Sequence, residues 1–221
     1  SLHDALPISV RAKIPTLFIS LEMSNEAIFR RSVASIGSVP MQSLKSGNLS
    51  EGDMRSMSLA AGKIASSPLW FLDGSSSQSV ASITANVRRA VRKHGVRLVI
   101  VDYIQKVKAA DKAEKRTYEV AEVSGKLKDI AVQTGVAMLC LAQLNRENEK
   151  EKGRPPRLSD LADSGQLERD ADCVMLLDRD RREAKGQASI IIAKQRDGEC
   201  GVVKLWYDGQ FCRFSDSGVD T

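Results

Sequence analysis

Two patterns of hydrophobic and polar positions alternate along most of the chain. Short, wholly apolar runs are separated by longer stretches in which apolar residues recur every three or four positions. Thr16–Leu21 (TLFISL), bounded by Pro15, predicts a buried strand, as do LWFLD at 69–73, RLVIVDYIQ at 97–105 and VAMLCLAQL at 136–144. Between them, Ser24 caps a helix with Ala27, Ile28, Val33 and Ile36 on its apolar face and Gly37 as its stop. Ser50 opens a second helix that runs to about Ala65, and another starts near Ser79 and ends at Gly95. YEVAEVSGKLKDIAVQTG predicts a long amphipathic helix, with Val120, Val123, Leu127, Ile130 and Ala131 on one side.

Strands apolar on both faces, alternating with helices, imply an α/β fold built on a mostly parallel sheet covered on both sides. After Asp160 the pattern changes. DCVMLLD, ASIIIAKQR and GVVKLWYD follow with short connections, and are expected to extend the sheet as antiparallel strands or hairpins. The charge-dense segment NRENEKEKGRPPRLSD, 145–160, is expected to be a mobile surface loop. No repeat and no second domain is evident.

Composition changes this picture little. Apolar residues make up 42% and charged residues 28%, ordinary for a soluble globular protein. The formal charge of +5 permits a polyanionic partner without requiring one. The four cysteines lack CxxC spacing, which argues against zinc or a disulfide framework and fits a reducing cytoplasm; Cys140 and Cys173 sit in apolar runs, as small hydrophobes do. No apolar run approaches the roughly 20 residues that span a bilayer, and SLHDALPIS lacks the form of a signal peptide. A soluble intracellular protein is expected.

Candidate chemistry gathers at strand ends. In LVIVDYIQ a hydrophobic run delivers Asp102 to the carboxyl edge where ligands bind in open α/β sheets, and a carboxylate there can hold a Mg²⁺-bound water beside nucleotide phosphates. An aspartate ending a strand can equally be a helix cap. In LFISLEMS, Glu22 leaves its strand at the same edge if the two strands are parallel, and could polarise an attacking water; the alternative is a carboxylate that favours the next helix through its dipole. Gln143, ending VAMLCLAQL, could bond a γ-phosphate or be a routine polar strand end. Lys194 and Arg196 in IIIAKQRDG share a face by the two-residue period, as a phosphate clamp or as a solvated strand end.

In order and spacing these segments resemble the RecA-like motor domain of DnaB-type replicative hexameric helicases. SLEMS is the most specific piece. KSGNLSEGD, VIVDYIQ, AQLNRE, LSDLADSGQLERDADCVMLLDRD and IIIAKQRDG support it, from about Thr16 to Phe214. The resemblance implies an ATP- and Mg²⁺-dependent DNA helicase that translocates on single-stranded DNA as a ring hexamer, with primase and a helicase loader as partners. It makes Glu22 the catalytic base, Asp102 the indirect Mg²⁺ ligand and Gln143 the γ-phosphate sensor. Lys194 and Arg196 would act on a neighbouring subunit's nucleotide, Arg196 as an arginine finger, which would account for cations with no local acidic partner. DNA contacts are implied after Gln105 and at Asp163, Ser164 and Gly165, although many relatives carry arginine where this chain has Ala162.

A further departure is that no GxxxxGKS/T segment occurs in the sequence, so the chain by itself is expected to be inactive. Ser1–Ile8 matches nothing in the family and is set aside as an extension, leaving 9–221 as a partial motor domain. The resemblance places the phosphate-loop strand beside the LVIVD strand, so its loss is expected to leave a marginally stable chain. The competing expectations are a non-hydrolysing RecA-like accessory module and a different RecA-like ATPase. The basic helix VRRAVRKHGVR, with Arg88, Arg89, Arg92, Lys93 and Arg97, is expected to be a solvated face covering the sheet.

Overall fold

Thr16–Ser20 (β1) buries every one of its five side chains, which a strand achieves only inside a sheet covered on both faces. In the computed structural model, which describes residues 5–73, 78–110, 116–145, 154–161, 165–179 and 186–216, β1 lies between two parallel neighbours. Leu69–Asp73 (β2) pairs on one side and Leu98–Asp102 (β3) on the other; Ala137–Cys140 (β4) pairs with β3, giving the order β2-β1-β3-β4. Both edges of β3 are therefore occupied. The expectation of a phosphate-loop strand beside it is corrected, because β1 and β4 already take its ladder bonds.

The two faces are filled by alternate residues. Leu17 and Ile19 of β1 with Val99 and Val101 of β3 pack under Val80–His94 (α5) and Arg116–Thr134 (α6), through Ile83, Val87, Val123, Leu127 and Ile130. Phe18 and Ile100 point to the other face, against Ile28 of Asn25–Gly37 (α2) and the partly buried Phe71 and Leu139. Ala5–Ala12 (α1) precedes β1, and its start falls within the segment set aside as an extension.

The helix ends follow their capping chemistry. Ser24 accepts from the Ala27 amide at the start of α2, and Ser50 and Asp53 close a capping box on Glu51–Ala65 (α4). α5 begins after Ser79 and ends at Gly95 in the left-handed conformation. At the end of α2 that conformation is taken by Ser38, not Gly37. Gly37 serves packing instead: a Cβ there would lie 3.0 Å from the Ala60 Cβ and 3.1 Å from the Ser56 carbonyl, where α4 crosses. A short helix, Met41–Ser46 (α3), has no counterpart in the sequence prediction.

Gly165–Asp170 (α7) leads into Cys173–Asp178 (β5), Gln187–Gln195 (β6), Gly201–Asp208 (β7) and Arg213–Asp216 (β8), which are antiparallel in the order β5-β6-β7-β8. They form a second sheet. Among the described residues no ladder joins it to the first, so the expected extension of the parallel sheet is corrected. Contact runs instead through the Leu144–Leu161 bridge and a cluster of Leu161, Val174 and Leu176 with Ala142 and Leu144. Cys173 is exposed, against the expectation of a small buried hydrophobe, whereas burial pushes the Cys140 thiol up to about 12.

The expected mobile loop at 145–160 is also partly overturned. Asp160 is buried, accepts both arms of the Arg154 guanidinium at 2.9 and 2.8 Å, and accepts the Arg157 amide at 2.7 Å. Those bonds hold its carboxyl below the ordinary carboxylate range. Its carbonyl takes the Asn145 amide at 2.7 Å, which ties the two ends of the segment together. The rest of that segment, 146–153, lies outside the described residues.

The central position of β3 has a measurable consequence. Ile100 is fully buried, so Ile100→Ala should cost about 2–5 kcal/mol in chemical denaturation, with an unchanged m-value. Val132→Ala on the outer face of α6, 71% exposed, should change stability by less than about 0.5 kcal/mol.

Candidate functional site

The site follows from one register. Ser20 of β1 stands opposite Asp102 of β3, and the Leu21 amide donates to the Asp102 carbonyl at 2.7 Å. Both strands run the same way, so both end at the same edge of the sheet. The Ser20 hydroxyl then closes the turn out of β1, donating to the Met23 carbonyl at 2.6 Å and accepting the Met23 amide at 3.1 Å. Glu22 is held inside that turn, exposed, two residues before the Ser24 cap. The acidic residue in the first turn of α2 is Glu26, so Glu22 is not the helix-dipole carboxylate.

Asp102 is partly buried. Burial raises its carboxyl above the ordinary range, and the negative charge of Glu22 raises it further; Arg31 and Lys106 act against both. The charge of a second carboxylate thus reaches Asp102 at this edge, together with those of two cations that the sequence did not single out. The Asp102–Tyr103 peptide is cis.

Gln143 lies three residues beyond β4, not at its end, because the strand stops at Cys140. Its main chain is fixed by the Gln105 side chain, which donates to the Gln143 carbonyl at 3.3 Å and accepts the Gln143 amide at 3.2 Å. The sequence placed Gln105 at the end of the 97–105 strand, ahead of an implied DNA loop, whereas β3 ends at Asp102. The Gln105 amide, two residues past the 102–103 step, pins the chain leaving β4 and leaves the Gln143 side chain exposed at the same sheet edge.

Lys194 and Arg196 sit apart from this edge, over the end of α7. Lys194 Nζ donates to the Glu168 carbonyl at 2.5 Å, and Arg196 donates to the Arg169 carbonyl at 3.0 Å, so the two do share a face. The expectation that these cations lack a local acidic partner is corrected: the Arg196 guanidinium lies 3.0 Å from Asp172, a pair about half exposed on both sides. Asp172 is held below its ordinary range, first by its bond from Lys128 and secondarily by Arg196 and Lys194. Gly165 is the first residue of α7, while Asp163 and Ser164 lie outside the described residues. Among the described residues no group of three or more His, Cys, Asp or Glu could hold a metal by itself, and no helix is long and apolar enough to cross a membrane.

Comparison with known proteins bears on the family and the fold. A family model described as the DnaB-like helicase C-terminal domain matches residues 2–216. The replicative DNA helicase DnaB of Leifsonia xyli is 35% identical over 221 residues, covering 98% of this chain and 48% of that protein. That of Pasteurella multocida is 38% identical over 215 residues, covering 94% and 46%. The chain spans about half the length of these curated relatives. A solved DnaB-like replicative helicase, described with its interactions with primase, superposes with a TM-score of 0.91 at 32% identity, over 97% of this chain and 53% of that one. The ATPase domain of G40P superposes with a TM-score of 0.89 at 32% identity, over 96% and 78%. A KaiC-like protein from Pyrococcus horikoshii, at 0.58 and 18% identity, shares the fold alone.

The electrostatics of the shared edge can be tested directly. A carboxylate whose folded value is raised binds its proton more readily in the native state, so its ionisation lowers stability as pH rises through that value. Asp102→Asn should therefore raise the melting temperature at pH 7, and the gain should shrink as pH falls toward the ordinary carboxylate range. Glu22→Gln should move the Asp102 titration, followed by carboxyl NMR, downward.

Proposed function

The chain belongs to the family of DnaB-like helicase C-terminal domains, and on that premise we propose that it is the nucleotide-hydrolysing motor portion of a replicative DNA helicase. The observation that carries the proposal is the shared edge: Glu22 and Asp102 reach it from adjacent parallel strands, and the charge of Glu22 raises the Asp102 carboxyl. The fold is RecA-like, with a helix-flanked parallel sheet and an antiparallel sheet behind it.

The residues fit a Mg²⁺–triphosphate better than an all-protein metal cage. Mg²⁺ is commonly held by one or two carboxylates, with phosphate oxygens and water completing the shell, and two mutually repelling carboxylates with no third acidic ligand among the described residues match that donor set. Asp102, half-buried at the strand end, would hold the ion through its water; Mg²⁺ there would neutralise charge on the phosphates. Glu22, more exposed, would accept the proton of an attacking water. Gln143 would bond the γ-phosphate with its exposed amide while Gln105 keeps its backbone in place.

Lys194 and Arg196 are proposed to act on the nucleotide of a neighbouring protomer in a ring hexamer. Arg196 would first have to leave Asp172. Exposed ion pairs of this kind contribute about 0–1 kcal/mol, so the exchange is inexpensive beside the charge that a transferring phosphate presents. Translocation on single-stranded DNA through the segment after Gln105 and through Asp163, Ser164 and Gly165, contacts with primase and a helicase loader, and a cytoplasmic location complete the proposal.

The sequence contains no GxxxxGKS/T, so the chain alone should bind MgATP only weakly. The test is a chimera in which a strand–loop–helix unit carrying that motif is joined ahead of Ser9. It should hydrolyse ATP, and Glu22→Gln should lower kcat at least about a hundredfold with KM little changed. Equal turnover with and without Glu22 would rule out the assigned base.

A further inference from the structure

Residues 74–101 contain neither Asp nor Glu, yet they hold Arg88, Arg89, Arg92, Lys93 and Arg97, five of the chain's 33 basic residues. Without those five, the remaining basic residues equal the 28 acidic ones, so the whole formal charge of +5 is accounted for by α5 and the residue three beyond it. Charge gathered so completely on one element acts on a partner as a local field, which a balanced surface does not.

The structure turns those charges outward. α5 buries Val80, Ile83, Val87 and Ala90 against the sheet, and leaves Arg88, Arg89, Arg92 and Lys93 exposed. Arg88 is engaged, donating to the Gln133 side chain of α6 at 2.7 Å. The side chains of Arg89, Arg92, Lys93 and Arg97 make no hydrogen bond or ion pair with any described residue. The helix dipole favours cations in the last turn, which accounts for Arg92 and Lys93. It does not account for Arg89, which lies earlier, or for Arg97, which lies past the Gly95 cap.

The patch is also remote from the carboxylate edge. The start of α5 is tied to that edge through the Val80 amide, which donates to the Lys108 carbonyl at 2.9 Å. Its far end is tied to the opposite edge: the Arg97 amide donates to Pro15, just ahead of β1, at 2.8 Å, and its carbonyl accepts from Ala137, the first residue of β4, at 2.9 Å. At about 1.5 Å per residue, Arg89, Arg92 and Lys93 lie roughly 14 to 20 Å along the axis from the end of α5 that is tied to the carboxylate edge.

We propose that Arg89, Arg92, Lys93 and Arg97 form a nucleic-acid contact surface that grips the phosphodiester backbone without regard to sequence. Residues three and four apart on a helix stand about 5–6 Å from one another at Cβ, forming a row of donors, and guanidinium groups meet phosphate oxygens in pairs. The other exposed positions of α5 are small, Ala81 and Ala85, with no aromatic ring for a base to stack on. The surface therefore tracks the backbone and does not read bases. An acidic helical peptide would need apolar anchors at helical spacing, and this face provides none. The proposal does not depend on the nucleotide site, since binding here requires neither ATP nor a second protomer.

Fluorescence anisotropy of the 221-residue chain with a labelled single-stranded oligonucleotide, over a series of salt concentrations, decides it. The variant Arg89→Ala/Arg92→Ala/Lys93→Ala should bind at least about tenfold more weakly. Its slope of log affinity against log salt should fall by roughly two, at about 0.7 per phosphate contact on single strands. Arg89→Lys/Arg92→Lys should keep the slope. An unchanged affinity and slope in the triple variant would overturn the proposal, as would a wild-type chain that binds poly-glutamate but not the oligonucleotide. If the triple variant loses its circular-dichroism signal, lysine acylation of the wild-type chain decides instead: bound oligonucleotide should shield Lys93 and leave Lys63 on α4 reactive, and equal reactivity would refute the surface.

Discussion

The register of β1 on β3 is the constraint on which the rest depends. Side chains alternate along a strand, so a slip of one residue would exchange the faces of every core side chain. Both faces here are apolar, and hydrophobicity alone would tolerate the exchange poorly but not forbid it. Main-chain bonds at the two ends of β1 hold the register: the Leu21 amide donates to the Asp102 carbonyl at 2.7 Å, and the Thr16 amide donates to the Pro68 carbonyl at 2.9 Å. Thr16 and Ser20 are buried, and their hydroxyls are satisfied within their own segment, by the Ile14 carbonyl at 2.8 Å and by the Met23 main chain, which fixes where the strand is entered and left. Left unpaired in the core, such a hydroxyl would cost about 1–3 kcal/mol. Groups at both ends of a five-residue strand thus set Glu22 beside Asp102.

That placement works against stability. A half-buried carboxylate raised by both desolvation and a like charge is an unfavourable element of a folded chain, and Arg31 and Lys106 offset it only in part. Asp160 shows what a purely structural carboxylate becomes when nothing else is asked of it: paired with Arg154 on both oxygens, capped by the Arg157 amide, and lowered. The contrast between two aspartates in one chain, one stabilised and one strained, is the kind of difference that separates a site from a scaffold.

The parallel layer was legible in the sequence because its signals are local. LWFLD is β2 residue for residue, α5 has the Ser79 and Gly95 caps its sequence advertised, and the buried stripe of α6 is the stripe read from spacing. What escaped depended on tertiary hydrogen bonds or on close approach. Gly37 looked like a stop, but its small size serves the crossing of α2 and α4. Gln143 looked like a strand end, but β4 is cut short and the residue is held by an amide 38 positions away. The separation of the second sheet has no local signature, since its strands are as apolar as those of an extension would be. The charged segment before Asp160 was read as mobile because its composition concealed an Arg154–Asp160 pair that only folding reveals.

The position of Lys194 and Arg196 connects parts of the chain that the sequence treated separately. Both cations bond the last carbonyls of α7, Glu168 and Arg169, where the helix dipole is negative and unsatisfied acceptors are concentrated. The same short helix begins at Gly165, the described end of the proposed DNA-contact segment, and its far end is fastened to α6 by Ser124–Asp170 at 2.6 Å and Lys128–Asp172 at 2.5 Å. A six-residue helix is too short to absorb a displacement by bending, so a shift at Gly165 must be met either by sliding along α6 or by loosening the bonds at its end. The bonds at its end are the ones that hold the two cations. Among the described residues the two sheets share no ladder, so the bonds that hold these cations lie outside the register that sets Glu22 beside Asp102.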